Sequence, residues 1–311
     1  MKSEFELIEW LKRQIPRNLQ GDIGIGDDAA VLSIGKGPRW LFATDVVVDG
    51  VDFMLHQIDP ALAGRKALAV NLSDIAAMAG DPVAFVVSLG IPPMMKEKVI
   101  LRFYRGMIAL AKKFKVRCVG GDISKSRQFF ASISILGCSK TGHLVTRSGA
   151  HPGDWIAVTG TLGGSILGHH YAFVPRLREA HFLARHFRPT AMIDVSDGLL
   201  QDLGHILRCS RVGANLDLEK IPVSAAAYKL AQGNSQKALE SALTSGEDFE
   251  LLFTVSPRHR QYLEQAWKSS FPHLKLSWIG RVERGKEKIF WSSDNKKAKA
   301  PRLSQGGFTH F

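Results

Sequence analysis

Gly24-Ile25-Gly26-Asp27-Asp28-Ala29-Ala30 is the stretch that most constrains this chain. Two adjacent carboxylates follow two glycines, and the apolar run Val31, Leu32 and Ile34 lies directly behind them. Glycine lets backbone approach a phosphate closely, whereas neighbouring aspartates repel one another unless a cation lies between them. The segment reads as a loop feeding a strand and suited to a metal-bound polyphosphate. Taken alone it also fits an ordinary acidic turn, since Gly and Asp are the commonest turn residues.

The same pattern recurs along the chain. A helix over 4–14 is ended by Pro16. Strands are expected at 30–34 and 40–48, joined by Gly35-Lys36-Gly37-Pro38, and the second delivers Thr44 and Asp45. Asp59-Pro60 caps a helix through Leu68, Leu72, Ile75 and Met78. Residues 83–89 read as a strand buried on both faces. A long helix follows at 96–115, then a short strand at 116–119 running into Gly120-Gly121-Asp122, then a strand at 129–137.

In the second half a strand at 155–158 meets Gly160-Thr161-Leu162-Gly163-Gly164-Ser165. Another, at 191–193, ends in Asp194-Val195-Ser196-Asp197-Gly198 and opens a helix. Ser245-Gly246-Glu247-Asp248 precedes a strand at 249–255, and 276–282 with 288–291 read as paired strands. The alternation predicts an α/β (α+β) fold. A length of 311 residues predicts two domains, divided here into 1–138 and 139–311.

Aspartates at element ends beside glycine are the chemical signal: Asp28, Asp45, Asp122, Asp194 and Asp197. Asp74 lies instead inside an apolar helix, where a carboxylate is rarely buried unless paired or metal-bound. Such a cluster is what Mg²⁺-bound ATP requires, because Mg²⁺ takes oxygen ligands and keeps substrate phosphates. No P-loop, dinucleotide fingerprint or protein-kinase motif is present, and Gly160 to Ser165 reads as a packing turn. His169, His170, His181 and His186 have no metal-like spacing and read as surface or packing residues.

The formal charge of +12 raises nucleic-acid binding as an alternative. The basic residues are diffuse, however, and no specific nucleic acid is expected. No apolar run reaches membrane-spanning length, and the acidic, amphipathic start does not read as a signal peptide. Cys118, Cys138 and Cys209 read as reduced thiols of a cytoplasmic protein.

Together these motifs resemble the thiamine-monophosphate kinases, members of the aminoimidazole-ribonucleotide-synthetase-like superfamily. The resemblance rests on Gly24 to Ala30, Thr44-Asp45, the run Asn71 to Gly80, Gly120-Gly121-Asp122, Arg147-Ser148-Gly149-Ala150, Asp194 to Leu199 and Ser245 to Leu251, in the family's order. It implies a two-domain fold whose N-terminal strands pair across a homodimer. It further implies ATP-dependent phosphorylation of thiamine monophosphate to thiamine diphosphate.

Several Mg²⁺ ions, with K⁺ as a further candidate, are implied at Asp28, Thr44, Asp45, Asp74, Asp122, Asp194 and Asp197. Of these, Asp74, Asp122 and Asp197 would be catalytic through the metal. ATP is implied at Tyr104, Gly121, Asp122, Arg147 and Ser196, and the substrate at Asp52, Glu247 and Phe308. Asp52 stands where the family usually has histidine, and Phe308-Thr309-His310-Phe311 where it commonly has Trp-X-His-Phe. The same-superfamily alternative is an ATP-dependent synthetase acting on another small molecule. A selenophosphate synthetase is disfavoured because no cysteine precedes Cys118.

Overall fold

The computed structural model describes residues 4–15, 21–139, 143–285, 287–293, 296–301 and 303. It has a mixed α/β architecture built as two units. One comprises Arg17–Leu144 with Tyr171–Leu177, and the other Met1–Pro16, Val145–His170 and Arg178–Phe311. Helix α1 (Glu4–Gln14) belongs to the second.

The first unit contains β1 (Ala30–Ser33), β2 (Arg39–Val48), α2 (Pro60–Ala77), β3 (Asp81–Ile91), α3 (Glu97–Phe114), β4 (Arg117–Lys125) and β5 (Phe130–Ser139). Its five strands run in the order β1-β2-β5-β3-β4. The expected β1–β2 hairpin forms, with Ala30 opposite Phe42 and Ser33 opposite Arg39. Helix α2 packs on this sheet and α3 packs on α2.

Asp59 is the N-cap of α2: its carboxylate accepts the Ala61 N–H at 3.0 Å, and Pro60 takes the first helical position. The Arg102 guanidinium forks onto the same carboxylate, with Nη2 at 2.6 Å. That hydrogen bond, with the Ala61 N–H, holds the Asp59 pKa down at about 2. The α2–α3 crossing is tight enough to require glycine. A Cβ on Gly106 would meet the Ala61 carbonyl oxygen at 1.8 Å, and one on Gly64 would meet that of Phe103 at 1.9 Å.

Strand β3 departs from the expectation of burial on both faces. Phe85, Val87 and Leu89 are buried, but Val86 and Ser88 between them are exposed. One face is covered by α2 and the other is open. Strand β4 also departs, because it does not stop before Gly120. A bulge between Phe85 and Val86 restores register, and pairing with β3 continues to Lys125.

The second unit contains β6 (Trp155–Thr159), α4 (His169–Ala172), α5 (Leu177–His186), β7 (Ala191–Asp194), α6 (Leu199–Ser210), β8 (Gly213–Asp217), α7 (Ala225–Leu230), α8 (Ser235–Thr244), β9 (Leu251–Val255), α9 (Arg260–Ser270), β10 (Leu276–Glu283), β11 (Ile289–Ser293) and β12 (Lys296–Lys297). The first residue of α5 and the last two of α4 belong to the other unit. The sheet order is β12-β11-β8-β10-β6-β9-β7. Strands β10 and β11, expected to pair with each other, instead flank β8, antiparallel to one and parallel to the other. Ile156, Val158, Ile193, Leu203, Ile206, Leu252 and Ile279 form the core of this unit. Each fully buried aliphatic side chain contributes about 1.5–3 kcal/mol of transfer free energy.

Candidate functional site

In the first unit, Asp28 lies in the loop ahead of β1, only 9% exposed. Asp74 lies on α2, where it is the one position from Lys66 to Gly80 that is not buried. One carboxylate oxygen of Asp28 and one of Asp74 approach within 4.8 Å. From Lys66 onward the helix is sealed except at one acidic side chain, which lies beside another carboxylate.

Thr44 and Asp45 leave β2 on opposite faces, because side chains alternate along a strand. Thr44 pairs with Ser134, Ser134 with Val86, and Ser88 with Asp122, so Thr44 and Asp122 share the open face. The Thr44 hydroxyl donates to the Ile133 carbonyl at 3.0 Å, and Ser124 donates to Asp122 Oδ2 at 3.2 Å. Asp122 lies mid-strand rather than at a strand end. Gly121 is required there by close packing, since a Cβ would meet the Val87 carbonyl oxygen at 2.0 Å. Tyr104 lies half-buried on α3, and burial raises its pKa.

Asp52 bonds within its own turn and to Lys66. Its Oδ2 accepts the Val48 N–H at 2.7 Å, and its carbonyl accepts from Lys66 Nζ at 2.7 Å. Lys66 is 1% exposed and lies 5.7 Å from the Tyr171 ring centroid.

In the second unit, β7 ends at Asp194, which is 3% exposed, and Ser196 and Asp197 form the turn into α6. The turn is pinned from within that helix. Asp202 Oδ2 accepts the N–H groups of Asp197 and Gly198 at 3.2 and 3.1 Å, while Gln201 Nε2 donates to Asp197 Oδ2 at 2.9 Å. Burial, then the charges of Asp197 and Asp194, pushes the Asp202 pKa well above the carboxylate range. His205 is pushed down to about 3, first by burial and then by Arg147 and Arg208. Ligand atoms of Asp197, Asp202 and His205 lie within 4.8 Å of one another. Arg147 precedes Gly149, and its carbonyl accepts from Ser210 Oγ at 3.4 Å.

The loop carrying Glu247 is zipped to this turn. Val195 N–H donates to Glu250 O, Glu247 N–H to Ser196 O and Phe249 N–H to Val195 O, at 2.8, 2.7 and 2.8 Å. Glu247 and Phe249 hold left-handed backbone, φ 56° and 50°. For a bulky residue such as Phe249 this costs of order 1–3 kcal/mol, and such strain persists only where surrounding contacts impose it. Ser196 and Glu247 are thus brought together on one pair of loops.

Two side chains at these loops were missed from the sequence, and a third, read as surface or packing, is packed inside. Asp202 and His205 share a face of α6 at i, i+3; the available signal was an acid at Asp202 amid Leu199, Leu203 and Ile206. His170, read as a surface or packing residue, is 1% exposed with Nδ1 3.1 Å from Glu247 Oε2. Phe308 lies outside the described residues. Gly160 to Ser165 packs as expected, with Gly163 N–H donating to both Asp248 oxygens at 2.9 Å.

Residues 26–139 match the family described as AIR synthase related protein, N-terminal domain. The thiamine-monophosphate kinase of Rhodopirellula baltica is 41% identical over 260 residues, covering 81% of this chain and 81% of the relative. That of Escherichia coli strain K12 is 36% identical over 330 aligned residues, covering 99% of this chain and 98% of the relative. Among solved structures, AaThiL complexed with AMPPCP and TMP aligns with a TM-score of 0.82 at 30% identity, over 99% of this chain and 97% of that chain. The acidic turns therefore stand on an AIR-synthase-like fold, in a sequence related end to end to enzymes of one activity. The chain belongs to the thiamine-monophosphate kinase family.

Proposed function

We propose that the protein transfers the γ-phosphoryl group of ATP to the phosphate of thiamine monophosphate, forming thiamine diphosphate and ADP. The observation that carries this reading is the near-full-length likeness to a chain solved with AMPPCP and TMP. A phosphate oxygen of thiamine monophosphate attacks the γ-phosphorus. The bond from that phosphorus to the β–γ bridging oxygen breaks, and its electron pair leaves with ADP. The nucleophile is already ionised, so alignment and charge stabilisation replace a strong general base.

The donor set fits Mg²⁺, a hard cation that takes oxygen ligands. Bound Mg²⁺ would neutralise the repulsion between the two phosphate groups. Its proposed ligands are Asp28, Thr44, Asp45, Asp74, Asp122, Asp194 and Asp197. The opposite facing of Thr44 and Asp45 on β2 favours several ions over one. K⁺ is left without assigned residues. Tyr104, Gly121, Arg147 and Ser196 would hold ATP, Arg147 through a forked donor suited to phosphate. Glu247 would answer the cationic thiazolium, with Asp52 and Phe308 as further substrate contacts.

The N-terminal part would carry ATP, metal and dimer contacts, and the C-terminal part would complete the active site. A homodimer is favoured by β4, an edge strand exposed along its whole length with Val119 at 59% and Ile123 at 62%. A cytoplasmic setting fits three free cysteines. No helix among the described residues is long and apolar enough to cross a membrane.

Asp74→Asn and Asp122→Asn preserve side-chain size while removing charge. Each is expected to lower thiamine diphosphate formation by roughly 10²-fold or more, the scale of losing one charge-stabilising group, with an unchanged circular-dichroism spectrum. Near-normal turnover in either overturns the metal assignment.

A further inference from the structure

We infer that His170 is the positioning residue for Glu247 and thereby sets affinity for the thiamine moiety; this rests on the substrate reading given above. The imidazole is buried to 1%, while the Glu247 side chain beside it is 32% exposed. Nδ1 stands 3.1 Å from Oε2, so one carboxylate oxygen is engaged from the protein interior.

The main chain of Glu247 is fixed independently. Its N–H donates to Ser196 O at 2.7 Å, and its φ of 56° is one that few side chains other than glycine's hydrogen favour. The neighbouring ring makes a parallel contact, with His169 Nε2 3.1 Å from the Asp248 carbonyl oxygen. Two consecutive histidines of α4 thus grip two consecutive residues of the strained loop.

A glutamate side chain has many rotamers to lose when it meets a ligand. A buried imidazole at one oxygen reduces that freedom beforehand, while the 32% exposure of the Glu247 side chain gives a cationic thiazolium or an aminopyrimidine N–H access to the carboxylate. The Glu247 N–H to Ser196 O bond is a main-chain bond that a change at the Glu247 side chain leaves in place, so the effect falls on thiamine monophosphate rather than on ATP.

The test separates positioning from packing. His170→Leu fills the buried volume without a donor, His170→Asn presents a donor near the place of Nδ1, and His170→Gln presents one near Nε2 instead. The Leu and Gln forms are expected to raise KM for thiamine monophosphate about tenfold, the scale for losing a residue that orients a ligand group. KM for ATP should stay unchanged, and the Asn form should recover most of the loss. In a Glu247→Ala background the same changes should have no further effect.

A normal Leu form with an impaired Asn form overturns the inference in favour of packing. So do equal values for Asn and Gln, which decide the matter even if the Leu form does not fold. Equal shifts in both KM values also overturn it. A wild-type protein that forms no thiamine diphosphate overturns the proposed function and this inference together, whereas an active wild type with unaffected variants overturns this inference alone.

Discussion

Asp248 is 2% exposed and accepts the Gly163 N–H with both oxygens. Burial pushes its pKa up to about 8, with the Gly163 N–H opposing and Glu250 and Glu247 reinforcing the rise. A carboxyl whose folded pKa exceeds its unfolded value binds more protons in the native state between the two. Its contribution to stability is therefore fully present below about pH 4 and is lost as pH rises towards about pH 8. Asp248→Asn keeps an acceptor for Gly163 and cannot ionise. Its Tm relative to wild type is expected to climb by a few degrees between about pH 5 and about pH 8. A difference that does not move with pH would sink this account of Asp248. At the residue scale, acids beside glycine at element ends drew notice to Asp194 and Asp197, whereas Glu247 was reached through the family resemblance. Lys66 and His170 were not legible, since each meets a partner that only tertiary folding brings near, whereas Asp202 and His205 went unnoticed although the Asp202 partners Asp197 and Gly198 are local.

At the scale of elements, local chemistry carried far. Asp59-Pro60 marks the start of α2, and Gly35-Lys36-Gly37-Pro38 marks the β1–β2 turn. Pairing across longer separations was not legible. Strand β8, Gly213–Asp217, was not anticipated, and its insertion separates β10 from β11. The β4 boundary failed because Gly120 and Gly121 read as a strand stop, whereas in the sheet they permit a bulge and a close backbone approach. The same strand bears on assembly. An exposed edge carrying Val119 and Ile123 is a template for pairing with another chain unless it is covered. Wild-type protein is expected to sediment at twice the chain mass, and Ile123→Lys at the chain mass. A monomeric wild type contradicts the proposed dimer.

For the whole molecule, charge was the least informative sequence property. A formal net charge of +12 kept nucleic acid in view, and a diffuse distribution of basic residues fits equally a solvated surface or general attraction of anionic substrates. The acidic turns along the chain were more telling, because they span both units of a chain that aligns with a relative over 98% of that relative's length. The most direct measurement is to incubate purified protein with ATP, Mg²⁺ and thiamine monophosphate and to separate the thiamine species formed. Thiamine diphosphate should appear in step with ADP, none should form from unphosphorylated thiamine, and chelation of Mg²⁺ should abolish the reaction. Mg²⁺-dependent ATP binding without thiamine diphosphate would contradict the substrate assignment.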